Sequence, residues 1–357
     1  MDDEIENSII TFSEAVDINP QVPLKKGSTY SFVEMKDLDN AFKYAIPSTK
    51  RELSGGARFR EKDTLFARIT PCLENGKICQ AKGLENEAGF GSTEFLVFRG
   101  KEGVTDTDFV YYLSRSRTVR DHAEANLQGT SGRQRVSAES FDSLFITLPP
   151  LSEQKRIAAI LSAFDEKIEL NRKTNQILEE IAQTIFKEWF IDFNYPGATG
   201  EMVDSPLGPI PKGWEAGRLI DIALIGSGKF LKRNGIKDTG YPVIGANGKI
   251  GFSETYNLEN EAIVTGRVGT LGTLQLINQK IWVTDNVLVI EPKIDFFFHY
   301  IYFWMRSIEF SNLNRGSTQP LITKTDLMNQ PAIEPPVSIL KIFNEISRPL
   351  FNKIIKN

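Results

Sequence analysis

The side chains of this sequence best suited to chemistry are hydrogen-bond donors in glycine-containing loops. SGRQR at 131–135 holds two arginines and a glutamine, and RGSTQ at 315–319 is a second stretch of this kind. Guanidinium and amide groups of this kind bind phosphates and the edges of bases. These stretches therefore indicate noncovalent recognition of a polyanion.

Signals of catalysis are missing from the sequence. The IGSGKF segment at 225–230 departs from a phosphate-binding loop, because residue 223 is Ala and Phe230 follows the lysine. The histidines are isolated and the cysteines have no histidine nearby, so we expect no metal site. No Asn/Asp-Pro-Pro-aromatic motif of an adenine methyltransferase occurs, and we expect a non-catalytic chain without a cofactor of its own. The histidines and cysteines of the chain are His122, His299, Cys72 and Cys79.

The charge is unevenly distributed along the chain. The formal net charge is −4, but residues 43–82 hold nine Lys and Arg against four Asp and Glu, and residues 229–249 hold five against one. Such local patches can attract a polyanion, because fields at a surface act over about 10 Å. The two cysteines favour a reducing cytoplasm, and no apolar run reaches the ~20 residues of a membrane span.

An internal repeat organises the sequence. GTSGRQRVSAESFDSLFITLPP from Gly129 resembles GSTQPLITKTDLMNQPAIEPP from Gly316. Three further pairs of similar segments lie upstream of these, in the same order in both halves of the chain. This shared order indicates a duplicated unit of mixed α/β (α+β) class. The upstream pairs are 62–78 with 260–276, 92–99 with 284–291, and 108–116 with 296–307.

Each repeat ends in a helix with a narrow apolar seam. Residues 151–190 contain no Gly or Pro, and their apolar positions recur every 3.5 residues, which predicts a coiled coil. The first seam is Ile157, Leu161, Phe164, Ile168, Asn171, Asn175, Leu178, Ala182, Ile185 and Trp189. The second, after Pro335-Pro336, is Ile339, Phe343, Ile346 and Leu350.

We expect the two helices to pack as an antiparallel coiled coil that relates the repeats by a pseudo-two-fold axis. Asn171 and Asn175 then lie in the seam and fix its register, or else they face solvent. A helix of about 35 residues spans roughly 50 Å. One turn of DNA measures roughly 34 Å, so two basic domains on such a spacer suit a split duplex target.

The predicted organisation has two recognition domains separated by a spacer. Runs such as TLFARI and AIVTGRV predict strands inside each domain, and the aromatic segments 108–116 and 296–307 predict helices. Four prolines and four glycines predict a linker near residue 200. The predicted segments are domain 1 at 1–150, helix 1 at 151–193, linker at 194–212, domain 2 at 213–334 and helix 2 at 335–357.

The sequence resembles the specificity (S, HsdS) subunits of type I restriction-modification systems over nearly its whole length. The resemblance is carried by LPPLSEQKRIAAILSAFDEKIELN at 148–171, GPIPKGWEAGRLIDIA at 208–223 and LNRGSTQPLITKTDL at 313–327, with VTGRVGTLGTL and VTDNVLVIEP between the last two. Two departures are the missing Pro-x-Gly-Trp opening in the first domain and the short second helix.

The resemblance implies two target recognition domains that each read half of a split sequence in double-stranded DNA. It implies docking of two adenine methyltransferase (M) subunits, with motor-nuclease (R) subunits joining the complex. The methyl donor and ATP are then expected only on those partner subunits. Two alternatives stay open: a scaffold that uses the coiled coil and binds no DNA, and the specificity module of a single-chain restriction-methylation enzyme.

The candidate DNA-binding residues are basic and amide side chains near the predicted turns. In the first domain they are Lys50, Arg51, Arg58, Arg60, Arg68, Lys77, Arg133, Gln134 and Arg135. In the second they are Lys229, Lys232, Arg233, Asn247, Lys249, Arg267, Arg315, Ser317, Thr318 and Gln319. The repeat pairs Arg68 with Arg267 and Gln134 with Gln319.

Overall fold

A computed structural model describes residues 7–269, 271–316 and 320–357. The chain forms two compact units, residues 1–171 (unit 1) and residues 172–357 (unit 2). None of the helices in the described part of the chain is long and apolar enough to cross a bilayer.

Unit 1 is built on a five-stranded sheet and a four-stranded sheet. Its strands are β1 (Ser8–Thr11), β2 (Val16–Ile18), β3 (Thr29–Val33), β4 (Tyr44–Ala45), β5 (Thr49–Glu52), β6 (Ala57–Arg60), β7 (Thr64–Ala67), β8 (Ile78–Ala81), β9 (Ala88–Gly91), β10 (Phe95–Gly100) and β11 (Phe145–Leu148). The sheet orders are β2-β10-β7-β8-β4 and β5-β3-β9-β6, and β1 pairs with β11. Every residue of β7 and β8 is buried, as suits their apolar sequences.

Helices cover one part of this core. They are α1 (Phe12–Ala15), α2 (Thr107–Arg115), α3 (Arg117–Ala125) and the start of α4 (Leu151–Phe186), which continues as a π-helical turn, Lys187–Ile191. The Asp106 side chain caps α2 by accepting from the Phe109 N–H at 2.9 Å. Four phenylalanine rings lie between helix and sheet, with Phe98 5.1 Å from both Phe12 and Phe66. The predicted helix at 108–116 is thus present.

Unit 2 repeats much of this topology on a four-stranded and a three-stranded sheet. Its strands are β12 (Met202–Val203), β13 (Ile210–Pro211), β14 (Glu215–Arg218), β15 (Ala223–Ser227), β16 (Tyr241–Gly245), β17 (Gly248–Ser253), β18 (Ala262–Gly266), β19 (Leu274–Ile277), β20 (Trp282–Val283), β21 (Val287–Pro292) and β22 (Pro331–Glu334). Its helices are α5 (Leu219–Ile222), α6 (Phe298–Arg306), α7 (Lys324–Met328) and α8 (Val337–Lys356).

The strand orders establish the repeat. The sheet β15-β21-β18-β19 matches β2-β10-β7-β8, and the pair β14-β22 matches β1-β11. The N-terminal caps of the equivalent helices α1 and α5 also agree. Glu14 accepts from the Thr11 N–H at 2.8 Å, and Asp221 accepts from the Arg218 N–H at 2.7 Å. The predicted internal repeat and mixed α/β class are confirmed.

In unit 2 the end of α4 packs antiparallel to α8. Near the start of α8, the Phe343 ring lies 5.0 Å from the Phe190 ring. Near the end of α8, the side-chain amide of Asn175 donates to the backbone carbonyl of Ile354 at 3.2 Å. The side-chain amide of Asn357 donates to the side-chain oxygen of Asn175 at 2.7 Å. The predicted antiparallel pairing is therefore confirmed over residues 175–190, with Asn175 bonded inside it.

The seam is not buried along its whole length, which corrects the prediction. Leu161, Phe164 and Ile168 in unit 1 are 38%, 66% and 49% exposed, and Ile346 on α8 is 37% exposed. An apolar stripe is buried only where another element meets it, and α8 meets residues 175–190. Ile157 packs against the core of unit 1 instead, while Leu178, Ile185, Ile339 and Leu350 are at least partly buried in unit 2.

The predicted linker at 194–212 is not a simple tether. β12 and β13 pair within it, and Ile210 and Trp214 are nearly fully buried. The Trp214 ring lies 5.5 Å from Phe193 and 5.1 Å from Tyr195. The glycines and prolines shape turns, but the aromatic residues between them anchor the segment to unit 2.

Candidate nucleic-acid interface

The candidate cations on the four-stranded sheet of unit 1 divide into paired and unpaired groups. Lys50 forms an ion pair with Glu85 at 2.9 Å. Arg51 pairs with Glu34 and stacks over the Phe32 ring at 4.1 Å. Arg58 and Arg60 on β6 are exposed and form no ion pair with the residues that the structure describes. Arg58 and Arg60 are therefore available to bind an external anion.

The 131–135 loop is partly committed to the fold. Two of the Arg135 nitrogens donate to the Glu94 carboxylate at 2.7 to 3.1 Å, and these hydrogen bonds lower the pKa of Glu94. Gln134 is held through its backbone, which donates to the Thr70 hydroxyl at 3.1 Å. Arg133 is exposed. Arg135 thus stabilises the loop that presents Arg133.

A groove with a volume of about 790 Å³ opens beside this loop in unit 1. Arg58, Arg68 and Thr93 line it together with residues 19–23. Lys77, the remaining candidate of this unit, points elsewhere: its ammonium donates to the Met35 carbonyl at 2.9 Å. The groove is polar and open, which suits an extended ligand better than an enclosed small molecule.

Unit 2 presents exposed cations around a matching groove of about 490 Å³. Lys229, Lys232 and Arg233 are exposed on the segment after β15. Asn247 lines the groove at the β16–β17 turn. Lys249 is exposed and lies 4.1 Å from the centre of the Phe252 ring.

Two of the remaining candidates of unit 2, Arg267 and Arg315, form backbone hydrogen bonds with Ile322 and Leu321. Arg315 forms an ion pair with Asp326 at 2.6 Å, and this contact lowers the pKa of Asp326 to about 2. Arg267 follows β18 and is partly buried. Ser317, Thr318 and Gln319 lie outside the described residues. Arg315 therefore stabilises its loop, as Arg135 does in unit 1.

The backbone hydrogen bonds revise one predicted pairing of the repeats. The Gln134 carbonyl accepts from the Thr70 N–H at 3.0 Å, and the Pro320 carbonyl accepts from the Gly269 N–H at 3.0 Å. Gln134 therefore matches Pro320, one residue beyond the predicted Gln319. Arg68 and Arg267 keep their predicted match, since each directly follows the equivalent strand.

Two groups of residues at these grooves were not predicted from the sequence. Thr93 and Asn286 line the grooves at matching turns, and Phe230 is 71% exposed beside the second groove. Thr93 and Asn286 fall in the matched sequence segments 92–99 and 284–291, and this match could have indicated them. No cluster of His, Cys, Asp and Glu that could hold a metal ion occurs among residues 7–269, 271–316 and 320–357. The arrangement is suited to hydrogen bonding and charge pairing with a polyanion.

Comparison with known proteins adds an independent finding. A family profile described as the type I restriction modification DNA specificity domain matches residues 17–180 and again 211–356. The chain is 30% identical over 291 residues to the type I restriction enzyme MjaIX specificity subunit of Methanocaldococcus jannaschii, covering 72% of this chain and 65% of that protein. With the HindI specificity subunit of Haemophilus influenzae it shares 31% identity over 161 residues, 44% of this chain and 34% of that one.

These relatives are longer than the matched region, since the chain spans less than two-thirds of either. Among solved structures, the type I restriction-modification system S subunit from M. genitalium superposes with a TM-score of 0.60 at 18% identity. That superposition covers 100% of this chain and 92% of the other, and it shows a shared fold.

Proposed function

Because this chain belongs to the family of type I restriction-modification DNA specificity domains, we propose that it is a sequence-specificity subunit that recognises a split target in duplex DNA. The observation that carries the proposal is the double family match on two units whose main sheets share the order of four strands. Each unit offers an open groove: Arg58 and Arg68 line the first, and exposed Lys229, Lys232 and Lys249 are next in sequence to residues that line the second. One unit then reads one half of the target.

The chemistry is supplied by partner subunits in this proposal. An adenine methyltransferase, which must extrude the base that it modifies, and motor-nuclease subunits act where this chain directs them. Exposed apolar residues on α4 support protein docking: Leu161, Phe164 and Ile168 in unit 1, and Ile177 and Ile181 in unit 2. Two such strips suit two methyltransferase subunits.

Methylome sequencing tests this function directly. The chain is co-expressed with the methyltransferase subunit of the same system in a host without other methylation, and modified adenines are mapped. We expect a motif of two short specific segments separated by a fixed number of unspecified base pairs. Methylation of an unsplit motif, or methylation unchanged when this chain is omitted, would contradict the proposal and favour a scaffold that binds no DNA.

The spacer role has its own test. Seven residues inserted after Leu170 preserve the heptad phase and leave residues 175–190 paired with α8. The insertion lengthens a helix by roughly 10 Å, about three base pairs of DNA. We expect the gap in the motif to increase while both specific segments stay the same. The control inserts seven residues after Gly200, outside α4, where the gap should not change.

A further inference from the structure

Arg68 and Arg267 occupy the same backbone site in the two units. The Arg68 N–H donates to the Glu94 carbonyl at 3.0 Å, and its carbonyl accepts from the Val136 N–H at 3.0 Å. The Arg267 N–H donates to the Asn286 carbonyl at 3.0 Å, and its carbonyl accepts from the Ile322 N–H at 2.9 Å. Each arginine is thereby held on both sides at the end of an inner strand.

Their guanidinium groups form no hydrogen bond or ion pair with the described residues. Hydrogen bonds lower the pKa values of Glu94 and Glu139, and the charge of Arg68 adds to this lowering from a distance. The Nε atom of each arginine is buried and has no hydrogen-bond partner, and neither side chain forms an ion pair with the described residues. The terminal amino groups of both are not among the buried atoms. Arg51, Arg135 and Arg315, by contrast, are all paired with carboxylates. Of the three arginines with such an Nε among the described residues, Arg120 donates a terminal amino group to the Glu74 carbonyl at 3.3 Å, whereas Arg68 and Arg267 form no hydrogen bond through theirs. The terminal amino groups of Arg68 and Arg267 are therefore left to bind a ligand.

The two arginines are placed differently relative to the grooves. Arg68 lines the groove of unit 1, and Val268, the residue after Arg267, lines the groove of unit 2. The neighbouring positions differ between the units, since Glu94 is replaced by Asn286 and Thr93 by Asp285. The arginine is thus the shared element at one backbone position whose neighbours otherwise differ.

We propose that Arg68 and Arg267 each read a guanine, one in each half of the DNA target, with the two terminal amino groups donating to O6 and N7. The inference rests on the proposed function and names the base that this site selects. A guanidinium has parallel donors and no acceptor, which matches the two adjacent acceptors of guanine in the major groove. Adenine offers one acceptor and one donor there, so it fits less well.

Other cations supply the contacts to phosphates. Arg58 and Arg60 are exposed in unit 1, as are Lys229 and Lys232 in unit 2. Phosphate contacts tolerate mobile side chains, because they carry little information on sequence. Arg68 and Arg267 are partly buried, so their side chains have less freedom to lose when they meet one base edge. This difference separates the two arginines from the rest of the basic surface.

The experiment selects from a pool of duplexes with randomised central positions, using the full chain assembled with its methyltransferase. Wild type is compared with Arg68→Lys and Arg267→Lys, which keep the charge but lose the forked donors. Arg60→Lys is the matched control on the exposed sheet. We expect wild type to enrich a split motif with a guanine in each half. Each variant should lose about 10- to 100-fold discrimination at one G·C pair, in its own half only.

The outcomes separate the two proposals. If wild type enriches no split motif, the proposed function fails and this inference with it. If wild type does enrich one, the inference alone is overturned by an unchanged motif in both lysine variants, or by relaxation at an A·T pair. Weaker binding to all sequences with a smaller salt dependence would indicate phosphate contacts and also overturn it. Should Arg68→Lys lower the unfolding midpoint, Arg68→Met is scored in its place.

Discussion

The two halves of α4 are attached to their units by different chemistry. In unit 2, Phe186 and Phe190 pack with Tyr300, Phe303 and Phe343, and ring centres lie 4.9 to 5.7 Å apart in contacts such as Phe190–Tyr300 and Phe186–Phe303. The partner helix α8 belongs to the same cluster. Phe186 and Phe190 each follow a predicted seam residue, Ile185 and Trp189, and those two are only partly buried. At these positions the face that α8 covers is therefore displaced by one residue from the predicted seam.

In unit 1 the start of α4, at Ile157 and Ala158, packs on the core, and the attachment beyond it is polar. The buried Lys43 ammonium donates to the Ser162 hydroxyl of α4 at 2.7 Å and to Asp108 at 3.3 Å. The Tyr112 hydroxyl donates to Asp165 at 2.6 Å. These bonds hold one face of the helix, while Phe164 on the seam stays exposed. One heptad pattern can therefore serve as core in one unit and as open surface in the other.

A matched pair of residues makes the contrast sharper. The repeat places Asp108 of α2 and His299 of α6 at equivalent positions. The His299 ring shares a hydrogen bond with the Ser347 hydroxyl of α8 at 2.9 Å and stacks on Phe351 at 4.5 Å. The same position thus carries a charged carboxylate in unit 1, which reaches α4 through Lys43, and a neutral imidazole in unit 2, which packs directly against α8.

The largest expected effect comes from truncating the aromatic cluster. Phe343 is fully buried, so Phe343→Ala should lower the free energy of unfolding of unit 2 by about 3–5 kcal/mol. Unit 1 should be unaffected, since its core holds none of this cluster. Urea denaturation read by hydrogen exchange on peptides of each unit measures the two separately. Equal losses in both units would contradict the contrast between an aromatic and a polar attachment.

Mild acid should weaken unit 2 by the next largest amount. Burial, and then the charge of Arg348, lower the pKa of His299 to about 4 from its usual 6.5. The unfolded chain therefore binds a proton before the folded chain does, and stability is lost as pH falls from about 6.5 to 4. The loss is about 3 kcal/mol. The control, His299→Phe, should reduce this slope in pH-dependent unfolding of unit 2.

Unit 1 should respond only at lower pH at the equivalent position. Burial opposes ionisation of Asp108, but hydrogen bonds from Gln80 and Lys62 and the charge of Lys43 outweigh it and lower its pKa. This contribution is present above the ordinary carboxyl pKa of 3.8 and is lost as pH falls below it. A loss of the Asp108 contribution above pH 5 would show that these contacts do not form.

The polar attachment itself should have a moderate effect. Lys43→Met keeps the volume but removes the donor to Asp108 and Ser162, and unit 1 should lose about 2 kcal/mol. The matched control is Lys62→Met, because exposed Lys62 pairs with the same carboxylate at 3.1 Å. Its cost should stay below about 1 kcal/mol. Similar values for both variants would show that burial of Lys43 adds nothing.

The smallest effect on stability is expected at the open seam. Phe164 is 66% exposed, so Phe164→Ala should change the free energy of unfolding by at most about 0.5 kcal/mol. The same substitution should weaken association with the methyltransferase subunit, measured by titration calorimetry. A large loss of stability, or unchanged association, would remove this strip from the proposed docking surface.

The candidate site could be predicted only in part, for a physical reason that Arg135 illustrates. A basic residue in a glycine-containing loop is the same signal whether the guanidinium is free or bound. Its carboxylate partner, Glu94, is 41 residues away in sequence, and Asp326 likewise pairs with Arg315 only once the loop is folded. Arg68 and Arg267 could be matched from the sequence because the repeat compares two positions within one chain.

The sequence by itself determined the repeat, the mixed α/β class and the long helix with its seam. These follow from periodicity and from runs of β-branched and aromatic residues, which act locally. Only the tertiary structure decided which part of the seam is buried, that the segment around Trp214 packs into unit 2, and which arginines remain unpaired. Periodicity specifies the face that a helix presents, but the element that meets this face comes from distant parts of the chain.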